Sequence, residues 1–186
     1  MRSKRISLKV VDALNKHEIP YMLVGSLATN FYSIARSTKD ADIVIQASLI
    51  DTARILASEC RELRIDPQFG FEGVTSTARI LLRTGRPQFI VELFALSDDL
   101  HDQERFRRRV QADWEGRPTW IATLEDALVT KLRWAGTAGR EKDYVDARNV
   151  IATSGERVDW PYVERWCDVH GSRPLLDRLR EELKRR

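Results

Sequence analysis

Cysteine is nearly absent from this 186-residue chain: Cys60 and Cys167 stand alone, with no Cys-x-x-Cys spacing. That excludes a disulfide framework and a cysteine-based zinc site, and it fits small apolar roles in a reducing compartment. Histidine is as sparse, and His17, His101 and His170 lie far apart without metal-ligand spacing. Long apolar runs are missing. None approaches the roughly 18 residues that a membrane helix needs, and the basic start lacks the apolar stretch of a secretion signal. The expected location is the cytoplasm, with no membrane partner. No Gly-x-x-x-x-Gly-Lys loop occurs, which argues against a P-loop ATPase. Ser26 lies in Gly-Ser-Leu-Ala rather than Gly-x-Ser-x-Gly, so a hydrolase elbow has no support. Internal repeats, low-complexity tracts and long linkers are also absent.

What is present describes an ordinary soluble globular chain, 42% hydrophobic and 32% charged. Its length suits one domain, or a core with a small helical appendage. A net charge of +3 is too mild to imply a nucleic-acid partner by itself. Positive charge clusters at 2–5, 105–109 and 184–186. Each run reads either as a solvated helix face or tail, or as a phosphate-contacting patch.

Apolar spacing predicts a helix over 4–17, ended by Pro20, then a buried strand at 21–24, a helix over 26–34 and a strand over 41–46. Ser48 caps a helix over 49–64. Pro67, Gly70 and Gly73 mark a loop at 66–76. Strands at 78–83 and 88–94 flank Thr84-Gly-Arg-Pro87 as a hairpin. Ser97-Asp98-Asp99 opens a helix or loop through Arg109, and short strands surround Glu115-Gly116. The remainder reads as helical. Thr123 caps a helix reaching Trp134, Gly136 to Gly139 break it, a second runs over 140–152, and Asp159 and Ser172 start two more. The five tryptophans are spaced mostly like core or helix-packing residues. The expected division is a core over 1–97 and a mostly helical part over 98–186 packed on it, with a soft transition across 97–122.

The most informative stretch is 21–46, YMLVGSLATNFYSIARSTKDADIVIQ. A short apolar strand runs into Gly25-Ser26 at a strand-to-helix turn, where backbone N–H groups favour anions. A second strand opens on Asp40-Ala-Asp42. If the strand includes both aspartates, they share one face. Two carboxylates on one edge call for a counter-charge, and hard divalent cations such as magnesium take oxygen ligands and leave positions for phosphate oxygens. An anion site beside a metal site points to phosphoryl or nucleotidyl chemistry. Glu92 interrupts the apolar run Phe89 to Phe94, and a charge there needs a partner or a metal.

This pattern resembles the signature of the DNA polymerase β-like nucleotidyltransferase superfamily. The form Arg36-x-Thr38-x-Asp40-x-Asp42 is similar to the small bacterial branch that includes the AbiEii-type toxins. Residues 123–151 add the branch's Leu-Glu-Asp, then Lys131, then Arg140-x-Lys142-Asp143-x-x-Asp146. The likeness spans roughly residues 6–152. It implies an α+β fold, a nucleotidyltransferase-like mixed sheet flanked by helices and followed by a C-terminal helical bundle. It also implies a metal-dependent enzyme that moves a nucleoside monophosphate from an NTP, such as ATP, to an acceptor hydroxyl. Two Mg2+ ions, with Mn2+ as a substitute, would be held by Asp40, Asp42 and Glu92, the catalytic set. Gly25, Ser26, Arg36, Thr38, Lys131, Lys142, Asp143 and Asp146 would bind the nucleotide.

Blander readings stand beside these. Glu92 could snorkel on a half-exposed hairpin, Lys131 could be a solvated helix lysine, and Asp143 and Asp146 could serve ion pairing. Arg36 and Thr38 could fix the loop ahead of Asp40. The acceptor classes left open are RNA such as tRNA, a protein side chain and a small molecule such as an aminoglycoside. The resemblance implies a toxin with a separate antitoxin as one role. The competing reading is a non-catalytic binding or antitoxin-like module that keeps the fold.

Overall fold

The computed structural model describes residues 2–68, 70–86 and 88–185. Pro87 of the expected hairpin turn, Phe69 of the 66–76 loop and Arg186 of the terminal basic run lie outside the described residues. The chain divides into two compact units, Met1–Leu27 with Ser37–Ala122, and Ala28–Arg36 with Thr123–Arg186. The position 97/98 lies inside the first unit, and the division falls at the far end of the 97–122 transition.

In the first unit, α1 (Arg2–Lys16) leads into β1 (Tyr21–Val24), and α2 (Gly25–Thr29) begins directly at the strand's end. There follow β2 (Asp40–Ile45), α3 (Leu49–Glu59), the two-residue strands β3 (Arg64–Ile65) and β4 (Gly70–Phe71), β5 (Ala78–Arg83), β6 (Ile90–Ala95), α4 (Leu100–Arg108), β7 (Val110–Asp113) and β8 (Pro118–Ile121). The sheet is mixed, in the order β3-β5-β6-β2-β1-β8-β7, with β4 on β5. β2 and β6 run parallel, Asp42 opposite Glu92, while β1 runs antiparallel to β2, Val24 opposite Asp42.

Strand alternation divides the sheet into two unlike faces. Ala41, Ile43, Ile45, Ile80, Leu82, Val91 and Leu93 are all buried, and α3 packs against β5 and β6 and against α1. The other face carries Asp40, Asp42, Arg79 and Glu92, each partly exposed.

The second unit is built from α5 (Leu124–Ala138), α6 (Glu141–Ser154), a 3-10 turn (Gly155–Arg157), α7 (Trp160–Val169) and α8 (Arg173–Lys184). Leu128, Leu132, Val150, Val163, Cys167, Leu176 and Leu179 form its core, and Tyr32 from the 28–36 stretch packs against it. Thr123 caps α5 as expected, accepting a hydrogen bond from the Asp126 amide, and Tyr162 donates to the fully buried Asp126 carboxylate at 2.5 Å. No helix among the described residues is long and apolar enough to cross a membrane.

Four elements depart from the sequence expectation. The helix after Gly25 ends at Thr29 rather than residue 34, because Asn30 closes the 30–36 loop through hydrogen bonds with the Arg36 backbone. α3 stops at Glu59, and Leu63 is buried outside it. The loop at 66–76 contains β4. α5 passes through Gly136 and ends where Gly139 takes a left-handed conformation.

The packing contrast gives a direct check. Leu56 is fully buried and Leu100 is 79% exposed. Leu56→Ala should cost about 2–5 kcal/mol, and Leu100→Ala less than about 0.5 kcal/mol, measured by chemical denaturation. Equal effects would contradict the assignment of the core.

Candidate active site

The first unit's site begins at Gly25. Its φ of +58° lies in the left-handed region, and a Cβ there would fall 2.0 Å from Asp42 Oδ2. Only glycine lets the Asp42 carboxylate rest on this turn. Ser26, the next residue, is 3% exposed in the first turn of the five-residue α2.

Asp40 and Asp42 both belong to β2, so they share a face as the sequence reading required. Thr38 Oγ1 donates a short hydrogen bond to Asp40 Oδ1, while the Asp40 amide lies 3.4 Å from the same hydroxyl. Thr38 therefore fixes the Asp40 side chain from two residues upstream. Glu92 stands beside Asp42 on β6, on strands about 4.8 Å apart. Its carboxylate is engaged elsewhere: Arg79 Nη1 lies 3.1 Å from Glu92 Oε2.

The donor set fits a hard divalent cation in kind, three carboxylates from adjacent strands on one sheet face. Their arrangement is not closed. Among the described residues no three His, Cys, Asp or Glu side chains gather tightly enough to hold an ion. One Glu92 oxygen, Oε2, is taken by Arg79 in this arrangement.

The second unit gathers the remaining motif residues into an ion network. Arg36 grips Asp146 with two hydrogen bonds, Nε to Oδ1 at 3.1 Å and Nη2 to Oδ2 at 2.8 Å. Lys131 Nζ lies 2.6 Å from Asp143 Oδ1 and 2.9 Å from Asp146 Oδ2. Lys131, Asp143 and Asp146 are all buried. Arg140 reaches Asp143 at 3.7 Å, and Lys142 is exposed. Burial alone would raise the Asp146 carboxyl, but hydrogen bonds and charge from Arg36 and Lys131 hold it below the usual aspartate range. The ion-pairing reading of Asp143 and Asp146 thus describes what these side chains do in this arrangement.

The basic run at 105–109 is divided: Arg107 is exposed, whereas Arg105 and Arg109 are engaged within the unit. Arg105 is buried, with its Nε 2.8 Å from Asp102 Oδ1. Arg109 Nη1 donates to the Phe106 carbonyl at 2.6 Å, and the guanidinium lies over the Phe106 and Trp120 rings. Trp134 and Trp160 likewise carry arginines, Arg140 and Arg180, over their rings. Arg79 is the site residue the motifs missed. Its signal was the alternation Ala78-Arg79-Ile80-Leu81-Leu82-Arg83, which puts two arginines on the same side of β5.

Comparison with known proteins agrees with this geometry at the level of fold. The antibiotic-resistance factor ANT(2'')-Ia superposes with a TM-score of 0.66 at 13% identity, covering 96% of each chain. An antigenic nucleotidyltransferase-like protein from Paracoccidioides brasiliensis gives 0.59 at 18% identity, covering 94% of this chain and 90% of that one. JHP933 from Helicobacter pylori gives 0.58 at 14% identity, covering 99% and 93%. The chain therefore has the nucleotidyltransferase fold, a mixed sheet flanked by helices with a helical bundle after it. Neither a protein-family model nor a curated protein matches the sequence.

Two variants test the local geometry. Gly25→Ala should destabilise by more than about 1 kcal/mol, and Asp42→Ala in that background should recover part of the loss by removing the carboxylate contact. No coupling between the two positions would contradict the contact. The Asp146 carboxyl titrates lower in the folded chain than in the unfolded one, so its contribution is present above about pH 4 and disappears as pH falls through the folded value. Asp146→Asn should cost about 3–5 kcal/mol at neutral pH and flatten the acid limb of the stability curve. An unchanged acid limb would show that the network does not carry this dependence.

Proposed function

We propose that this chain is a metal-dependent nucleotidyltransferase. It transfers a nucleoside monophosphate from an NTP to an acceptor hydroxyl and releases pyrophosphate. The observation that carries this reading is the placement of Asp40, Asp42 and Glu92 on one sheet face, with Asp42 seated on the Gly25 turn. Asp40, Asp42 and Glu92 would hold the divalent ions, Mg2+ first. Those ions, when bound, lower the pKa of the attacking hydroxyl and stabilise the leaving pyrophosphate. Thr38 keeps Asp40 in place, and the Gly25-Ser26 turn supplies donors for triphosphate oxygens. Lys131 has two of its three N–H donors directed at Asp143 and Asp146 within the helical unit.

The nucleotidyltransferase fold supports this reading, and ANT(2'')-Ia was solved in complex with adenylyl-2''-tobramycin, an adenylylated small molecule. RNA, protein and small-molecule acceptors all remain candidates. Within the positive run at 105–109, Arg105 and Arg109 are engaged inside the unit, while Arg107 is exposed. A toxin role beside an antitoxin rests on sequence resemblance alone.

One alternative has an observation in its favour. The pairs Arg79–Glu92 and Lys131–Asp143 would persist in a non-catalytic module that keeps the fold. Incubation with each labelled NTP, Mg2+ and either total RNA or cell lysate separates the readings, because only the enzyme leaves label on a macromolecule or small acceptor. Asp42→Asn, nearly isosteric, should keep the fold and lose at least about 100-fold in transfer. Full activity in the folded Asp42→Asn protein would refute the metal-holding role given to Asp42.

A further inference from the structure

The sheet face that carries the three carboxylates also carries a cation outside the motifs. Arg79 lies on β5, two residues before Leu81, the register partner of Glu92. Its only contact with an acid is the 3.1 Å approach of Nη1 to Glu92 Oε2 among the pairs of the described residues. The arm has a built seat. Gly70 of β4 is the register partner of Arg79, and a Cβ at position 70 would come within 3.0 Å of Arg79 Nε and 3.3 Å of its Cγ. The bare backbone of Gly70 is the floor on which the arginine lies. Arg79 Nε is shut off from solvent, yet it has no hydrogen-bond partner among the described residues. A buried donor left unpaired costs about 1–3 kcal/mol, so this resting position is held by one charged contact and weakened by an unsatisfied donor.

We propose that Arg79 is the resting counter-charge of Glu92 and competes with the divalent cation for it. This rests on the metal-dependent reading above. Three carboxylates on one face repel each other unless a positive charge joins them. Without an ion, Arg79 supplies that charge from the neighbouring strand. A divalent cation that takes Glu92 Oε2 competes with the guanidinium for that oxygen, because two positive charges at one oxygen repel each other. By linkage, the arginine weakens ion binding as much as the ion weakens the arginine's hold. Arg79 is thus a positioning residue that holds Glu92 until an ion is present. An arginine that merely aimed Glu92 at the ion would have the opposite effect on ion affinity.

The test is Mn2+ binding to the full chain without nucleotide, followed by electron paramagnetic resonance, in the parent, R79M, R79Q, E92Q and R79M/E92Q proteins. Thermal melts with and without Mn2+ accompany it. R79M should bind Mn2+ about fivefold more tightly or better. It should melt lower than the parent without Mn2+ and gain more from adding it. R79Q should behave the same way, and it carries the test if R79M does not fold. In R79M/E92Q the gain should vanish. Parental or weaker affinity in R79M and R79Q overturns the proposal while leaving the metal site intact. A gain that survives in R79M/E92Q overturns it too, since loss of positive charge alone would then explain the effect. If the parent and all variants bind no Mn2+, the metal-dependent reading falls and this proposal falls with it.

Discussion

The contact between the Asp42 carboxylate and the Gly25 turn is the constraint from which the candidate site follows. β1 and β2 are antiparallel, and their register sets Val24 opposite Asp42. The chain must turn at once after Val24, and it does so through a residue with φ of +58° and no side chain. Any other residue would both strain that backbone and collide with Asp42. Once this position is fixed, the period of the strand places Asp40 on the same face and the parallel register with β6 places Glu92 beside Asp42. The polar face of the sheet is therefore a consequence of strand geometry and one glycine.

The helical unit solves a different problem, how to bury two aspartates and a lysine. Lys131 faces Asp143 and Asp146 from the adjacent helix, and Arg36 closes the group from the 28–36 stretch. Removing one member would unbalance the charge of a largely buried group, which costs more than loss of an exposed pair. Ser154 adds a second tie to the same stretch, donating to the Tyr32 carbonyl at 2.6 Å. The segment 28–36 is thus bound into the helical unit by charge, hydrogen bonding and the packing of Tyr32. Thr38, which holds Asp40, follows only two residues after Arg36.

Much of the fold was legible in the sequence because apolar periodicity and caps act locally. The strand at 21–24, the strands around Glu115-Gly116 and the Thr123 cap all lie where spacing and capping chemistry put them. The departures have physical causes that periodicity cannot carry. Nothing in 30–36 breaks a helix by propensity; the helix ends because the Asn30 side chain binds the Arg36 backbone six residues on. Gly136 looked like a helix breaker. In the fold it lies inside α5, where an added Cβ would meet Leu175 Cδ1 of α8 at 3.4 Å, an ordinary packing distance. The Asp-x-Asp pair was legible from strand period, whereas the Arg36–Asp146 pair joins residues 110 apart and leaves no local trace. Arg79 was visible in the alternation of β5, but only the register with β6 shows that it meets Glu92.

The central claim is that the face formed by Asp40, Asp42 and Glu92 is a divalent-cation site for nucleotidyl transfer. Diffraction from crystals grown with Mn2+ and a non-hydrolysable NTP analogue, recorded at the manganese absorption edge, tests it most directly. The account predicts an anomalous peak in contact with all three carboxylates, the triphosphate beside the Gly25-Ser26 turn, and Arg79 released from Glu92. An ordered nucleotide with manganese away from these carboxylates would contradict it.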